Sequence, residues 1–172
     1  MRFKLDIKTS EKFPDVKIFE PQPFKDHRGD IWTLWEKGCI LPDGVDFRLC
    51  KIAKSEQNVL RGLHGDYKTW KYMSCVHGEV EFVIVDIRED SDTYLEWEKY
   101  TLNDENHAGV LVPPGFANGH LCISDECLYH YLMSYSGDYI EPHEQKQLFW
   151  NDSRLNIDWS TNKPVLAKRD TP

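Results

Sequence analysis

The run Glu79-Val-Glu-Phe-Val-Ile-Val-Asp-Ile87 restricts the fold more than any other stretch of the sequence. It is too short for an ordinary amphipathic helix and is rich in β-branched residues, which favour a strand. With period two, Phe82 and Ile84 point one way and Val83, Val85 and Ile87 the other, so both faces must be covered. The core can cover one; a second sheet or a second subunit is expected on the other. Around it, short strand-like runs recur about every ten residues: 30–36, 45–53, 58–66, 93–101, 109–112, 120–124 and 127–135, separated by Gly, Pro, Asn and Asp. Helical periodicity is nearly absent. That pattern predicts an all-β sandwich or barrel. Residues 1–25, interrupted by Pro14, Pro21 and Pro23, read as an extended arm or edge strand. Residues 160–172 read as a polar tail, mobile or loosely docked.

At 172 residues, one domain is expected. A formal charge of −8 argues against nucleic acid and anionic membrane as partners, so an anionic ligand needs a local basic cluster. Arg28, Arg61, Lys71 and Arg88 are the candidates. No segment has the length of apolar sequence that a signal peptide or a membrane helix requires, and a cytoplasmic location is expected. The five cysteines, Cys39, Cys50, Cys75, Cys122 and Cys127, form no C-x-x-C pair and are read as reduced, buried residues.

The chemistry concentrates in Asn58-Val-Leu-Arg-Gly-Leu-His-Gly-Asp66 and the nearby Lys71. A histidine is the side chain best suited to exchange a proton near neutral pH. Arg61 and Lys71 can hold an anionic substrate and the charge that develops when a proton leaves carbon. The structural alternative makes His64 a hydrogen-bonded core residue and Arg61 half of a surface ion pair. Strict alternation puts Arg61 and His64 on opposite faces of a strand; both reach one pocket only if the strand bulges between them, which Gly62 permits.

The motif order resembles the dTDP-4-dehydrorhamnose 3,5-epimerases and related nucleotide-sugar epimerases over roughly Phe24 to Trp159. Its parts are Phe24-x-Asp-x-Arg-Gly29, Val59-Leu-Arg-Gly-Leu-His64, Lys71, Gly78-Glu-Val, Val85-Asp-Ile-Arg88-x-x-Ser91, Pro113-Pro-Gly-Phe-Ala117, Tyr131, Trp150-Asn-Asp152 and Ile157-Asp-Trp159. Each part alone is weak; together, in this order, they are specific. The resemblance implies a cupin-type double-stranded β-helix, a jelly-roll-like barrel with an N-terminal arm, working as a homodimer on a nucleotide sugar without a cofactor or metal. The variant Arg-Gly-x-His-Gly-Asp resembles the branch acting on GDP-linked 4-keto-6-deoxy heptoses in capsule synthesis.

The resemblance further implies His64 as the base, Tyr131 as the acid and Lys71 beside the C-4 carbonyl. It places Asp152 as the carboxylate orienting His64, with Asp86 in reserve. Arg61 and Arg28 match arginines touching substrate or diphosphate, Arg28 reaching from a partner subunit. Asn58, Asp66, Asn118 and His120 complete the expected substrate contacts. Two positions depart from the family pattern: Asn118 replaces a histidine, and His120 stands where an aromatic is usual. The rival readings are a metal-dependent cupin dioxygenase and a non-catalytic nucleotide-sugar-binding cupin. The first lacks its His-x-His, and its Pro-x-Gly-x-x-His slot holds Asn118.

Overall fold

A computed structural model describes residues 5–36 and 41–172. Its strands are β1 (Leu5–Thr9), β2 (Lys17–Pro21), β3 (Phe24–Asp26), β4 (Gly29–Ile31), β5 (Leu49–Glu56), β6 (Leu60–Asp66), β7 (Thr69–His77), β8 (Glu79–Asp86), β9 (Trp97–Asn103), β10 (Gly109–Val112), β11 (Phe116–Cys122), β12 (Glu126–Tyr135) and β13 (Lys146–Gln147). A six-stranded sheet, β1-β2-β10-β7-β12-β5, faces a five-stranded sheet, β13-β6-β11-β8-β9. Every pairing between these strands is antiparallel. This is the expected cupin-type β-sandwich. The hairpin β3–β4 stands apart from both sheets.

Alternation sorts the side chains. On β8, Val80, Phe82 and Ile84 join the apolar layer between the sheets, with Phe13, Val110 and Phe116. Val83, Val85 and Ile87 lie in a second cluster on the outer face. That outer face is covered from within the chain: Leu155 and Trp159 are buried there, with Leu148, Trp150, Ile157 and Leu166 packed against them. The two-faced strand therefore needs no second subunit to explain it. What reads in sequence as an aromatic tail is the lid of the second core.

The N-terminal segment forms the edge of the six-stranded sheet, with β1 outermost, β2 paired to β10, and Phe13, Val16 and Phe19 buried. Three expectations change. Residues 160–172 are anchored: Val165 N–H donates to Asn58 O at 2.8 Å and Leu60 N–H to Val165 O at 3.0 Å. Asp170, polar yet 3% exposed, shows how deeply that segment sits. The run 30–36 continues as strand only to Ile31, since Trp32 turns onto His107, stacked at 3.9 Å, instead of extending the ladder. Among the cysteines, Cys75, Cys122 and Cys127 are buried but Cys50 is exposed; Cys39 lies outside the described residues.

The outer cluster gives a stability test. Trp159 packs over β8 and β11 residues and its indole N–H donates to Trp150 O at 3.0 Å. Trp159→Ala is expected to lower unfolding stability by roughly 3 kcal/mol, as large-to-small substitutions in packed aromatic sites do. Urea denaturation measures it; a loss below about 1 kcal/mol would mean that the segment is not a structural cover.

Candidate active site

A cavity of about 300 Å³ opens between the two sheets. From the six-stranded sheet come Lys51 on β5, Lys71 and Met73 on β7, and Tyr129, Tyr131 and Met133 on β12; from the other come Arg61 and His64 on β6 and Asn118 and His120 on β11. Positions 71 and 73, and 129, 131 and 133, share a face because a strand repeats every two residues. Arg61 and His64 break that rule through the expected bulge. Asn118 stands opposite His64, but His120 stands opposite Arg61, so the register shifts between them. Gly62 sits in the shift with φ +123°, and a Cβ there would lie 2.5 Å from the Gly119 Cα. Only glycine fits both the dihedral and the space.

His64 is partly buried, and its Nε2 lies 2.6 Å from Asp170 Oδ1. With the carboxylate accepting from Nε2–H, the lone pair able to take a proton is on Nδ1. Asp170 is positioned by a short 3-10 turn, Lys168–Asp170, closed by Asp170 N–H to Ala167 O at 2.9 Å. The Gln147 amide bonds the Arg169 carbonyl, and Arg169 bonds Pro142 O at 3.0 Å, tying this turn to the loop at the cavity mouth.

Asp152 is not the partner of His64. It accepts three bonds from the Arg154 side chain, the closest at 2.6 Å from Nη2, and its carboxyl is held below the usual range by that pair. Asp86 does not orient it either. Burial alone would raise the Asp86 carboxyl, but hydrogen bonds from Arg88, Thr93 and Ser91 hold it at about 2. Asp86 and Arg88 thus brace a turn, with Arg88 stacked over the Phe116 ring at 4.7 Å, and Arg88 is not a cavity cation. Asp170 went unread because it lies beyond the motifs, in a polar stretch without periodicity.

Lys71 donates to Asn118 Oδ1 at 3.1 Å and to the His64 carbonyl at 3.3 Å. Burial lowers its pKa, and the nearby charge of Asp66 opposes that shift. Arg61 is steadied by Ser55 Oγ at 3.0 Å and the Lys54 carbonyl at 3.2 Å. Burial raises the Tyr131 phenol, with Lys51 pulling the other way. His120 stacks on Tyr129 at 3.8 Å; burial and then the charge of Arg61 push it down to about 3, so it is a neutral wall of the pocket.

Two expected contacts fall elsewhere, and a third, Arg28, is expected at a partner's site and not at this one. Asn58 is an exposed turn residue with φ 64°, and its backbone holds the 165 segment. Asp66 is buried and caps the next turn, accepting from Lys68 N–H at 2.9 Å and Thr69 N–H at 2.7 Å. Arg28 projects on the exposed β3–β4 hairpin, paired with Asp26 at 2.5 Å, and does not line this chain's cavity. Among the described residues, no three His, Cys, Asp or Glu side chains gather as a metal site would need. Among them, too, no helix is long and apolar enough to cross a membrane.

Comparison with known proteins matches residues 10–172 to the family model described as dTDP-4-dehydrorhamnose 3,5-epimerase. The dTDP-4-dehydrorhamnose 3,5-epimerase of Shigella flexneri is 35% identical over 170 residues, covering 95% of this chain and 91% of that protein. The enzyme of the same description from Methanothermobacter thermautotrophicus is 34% identical, covering 89% of this chain and 82% of its own. Among solved structures, the dTDP-6-deoxy-D-glucose-3,5-epimerase of Legionella pneumophila, in complex with dTDP-4-keto-L-rhamnose, superposes with a TM-score of 0.89 at 29% identity, covering 97% of this chain and 90% of that one. The dTDP-4-dehydrorhamnose 3,5-epimerase of Bacillus anthracis, with TDP and pyrophosphate bound, gives the same TM-score and identity and covers 97% of both chains.

His120 supplies a pH test. Its folded pKa of about 3 lies below the unfolded value near 6.5, so its contribution is intact above pH 6.5 and is lost as pH falls toward 3. Within that window the cost approaches about 1.4 kcal/mol per pH unit. His120→Phe, which keeps a ring against Tyr129, is expected to flatten the fall in unfolding free energy between pH 6 and pH 4. An unchanged slope in urea titrations would show that His120 is protonated in the fold.

Proposed function

The chain belongs to the dTDP-4-dehydrorhamnose 3,5-epimerase family, and on that premise we propose that it inverts C-3, C-5 or both in a nucleotide-linked 4-keto-6-deoxy sugar. The observation that carries this reading is the facing of a carboxylate-bound imidazole and a phenol across one cavity, His64 from one sheet and Tyr131 from the other, with Lys71 beside them. A proton α to a ketone leaves only when a base is positioned and the enolate oxygen is stabilised. His64 takes the proton, and Asp170 steadies the imidazolium that forms. Lys71 is close enough to the His64 backbone to share its ketone, and its ammonium stabilises the enolate. Tyr131 returns a proton to the opposite face, and inversion follows.

Among the described residues the cavity lining sets Arg61, Lys71 and Arg169 against one carboxylate, Asp170, although the chain as a whole is acidic. That local excess suits a diphosphate. Arg61, at the exposed rim, is the proposed diphosphate contact. A homodimer is part of the proposal, with Arg28, exposed on the β3–β4 hairpin and outside this chain's cavity, reaching a neighbouring site.

For the substrate itself, the Gly65-Asp66 variant supports a GDP-linked heptose and a role in capsule or other surface polysaccharide synthesis. It does so as a marker of kinship and not as a substrate contact, since a Cβ at Gly65 would lie 2.4 Å from Phe116 O and Asp66 caps a turn. The relatives, dTDP-4-dehydrorhamnose 3,5-epimerases by name, favour the second reading, a dTDP-linked hexose.

Both readings meet one experiment: incubation of GDP-linked and dTDP-linked 4-keto-6-deoxy sugars in deuterium oxide, with deuterons counted by mass. Exchange at C-3 or C-5 is expected for one nucleotide class, and loss of roughly 10² or more in His64→Asn and in Asp170→Asn. Asp152→Asn is expected to leave the exchange rate unchanged. No exchange with any substrate would overturn the reaction; loss in Asp152→Asn with retention in Asp170→Asn would overturn the assignment of the orienting carboxylate.

A further inference from the structure

The reaction so far gives Lys51 no task. It stands directly across the β5–β12 pair from Tyr131, so the two side chains project from the same face of the sheet into the cavity. Its ammonium donates to the Tyr139 hydroxyl at 3.2 Å and lies 4.6 Å from that ring's centre, and Tyr139 packs edge-on against Tyr135 at 5.7 Å. A lysine held by a phenol and an aromatic face keeps its whole charge available to neighbours.

We propose that Lys51 is a positioning residue for the acid step: its ammonium, fixed across the strand pair from Tyr131, holds the negative charge left on the phenolate when Tyr131 delivers its proton. This deepens the reaction proposed above and rests on it. In that step the Tyr131 O–H bond breaks, a C–H bond forms on the far face of the sugar, and the enolate's charge passes to the phenolate oxygen. Solvent at the cavity mouth then reprotonates the phenolate, and the imidazolium of His64 returns its proton to solvent.

The surroundings of Tyr131 leave this role to Lys51. Burial disfavours the phenolate, and Lys51 is the foremost group acting against that, ahead of Arg61 on β6. Arg61 is engaged by Ser55 and the Lys54 carbonyl at the rim. On β7, Lys71 is turned to Asn118 and the His64 carbonyl. His120 on β11 is uncharged, and Tyr129, beside Tyr131 on β12, is a buried phenol. On the tail Arg169 is engaged at Pro142, while Asp170 is committed to His64. The Tyr139 hydroxyl, on the loop after β12, acts most strongly to keep Lys51 protonated, against burial and with smaller help from Tyr131 and Glu141.

The test reads Tyr131 without substrate. In protein carrying tyrosine labelled with ¹³C at Cζ, the Tyr131 resonance is identified by its loss in Tyr131→Phe. In Lys51→Met its titration is expected to begin about one pH unit higher than in wild type, and in Lys51→Arg close to wild type. With substrate in deuterium oxide, Lys51→Met is expected to lose about tenfold in inversion while exchange and KM stay near wild type, and Lys51→Arg to restore inversion. An unmoved Tyr131 titration in Lys51→Met overturns the inference. So does a raised KM with exchange and inversion still in step, which would make Lys51 a contact for the substrate's anion. Should wild type exchange no substrate while the Tyr131 titration still moves, the proposed reaction fails and takes this role with it, the electrostatic coupling being a property of the empty cavity.

Discussion

The bond between His64 and Asp170 decides what the cavity can do, and much of the fold serves to make it. A carboxylate that is 3% exposed is costly unless it is paired, and here its partner is an imidazole on β6 of the five-stranded sheet. The 165–170 segment reaches that wall because Val165 adds a short parallel bridge beside Val59, at the start of β6. The outer apolar cluster holds the preceding aromatic segment in place. Packing on the far side of the sheet thus fixes a group on the near side.

The interior is divided along the sandwich. One part is filled by Phe82, Ile84, Val110 and Phe116, while the other is left open and lined by polar groups from both sheets. Loss of volume in the first part and loss of charge in the second have different consequences, one for stability and one for chemistry. The cations of the open part stand in an otherwise acidic chain, which concentrates an anionic ligand at the mouth.

Much of this was legible in the sequence where periodicity or a motif spoke. The two faces of β8 follow from the alternation of Phe82 and Val83, and the bulge at Gly62 from the impossibility of placing Arg61 and His64 in one pocket without it. The cover of the outer face was misread because a sheet, a subunit and an irregular aromatic segment bury the same side chains equally well. Asp170 was missed for a related reason: its partner is 106 residues away, and no local pattern marks a carboxylate whose role is set by a tertiary contact. Asp152 attracted that role through the Trp-Asn-Asp motif, but Arg154, two residues on, already neutralises it. Asp66 stands beside the central motif, yet Thr69 and Lys68 amides claim its carboxylate.

The central claim is that the two walls handle different protons, His64 removing one and Tyr131 returning one to the other face. Tyr131→Phe separates them, because it leaves abstraction and enolate stabilisation in place while removing the donor. Measured in deuterium oxide, that variant is expected to wash deuterium into recovered substrate at close to the wild-type rate while forming little epimer. Inversion at the wild-type rate would contradict the account and reduce Tyr131 to packing in the cavity wall.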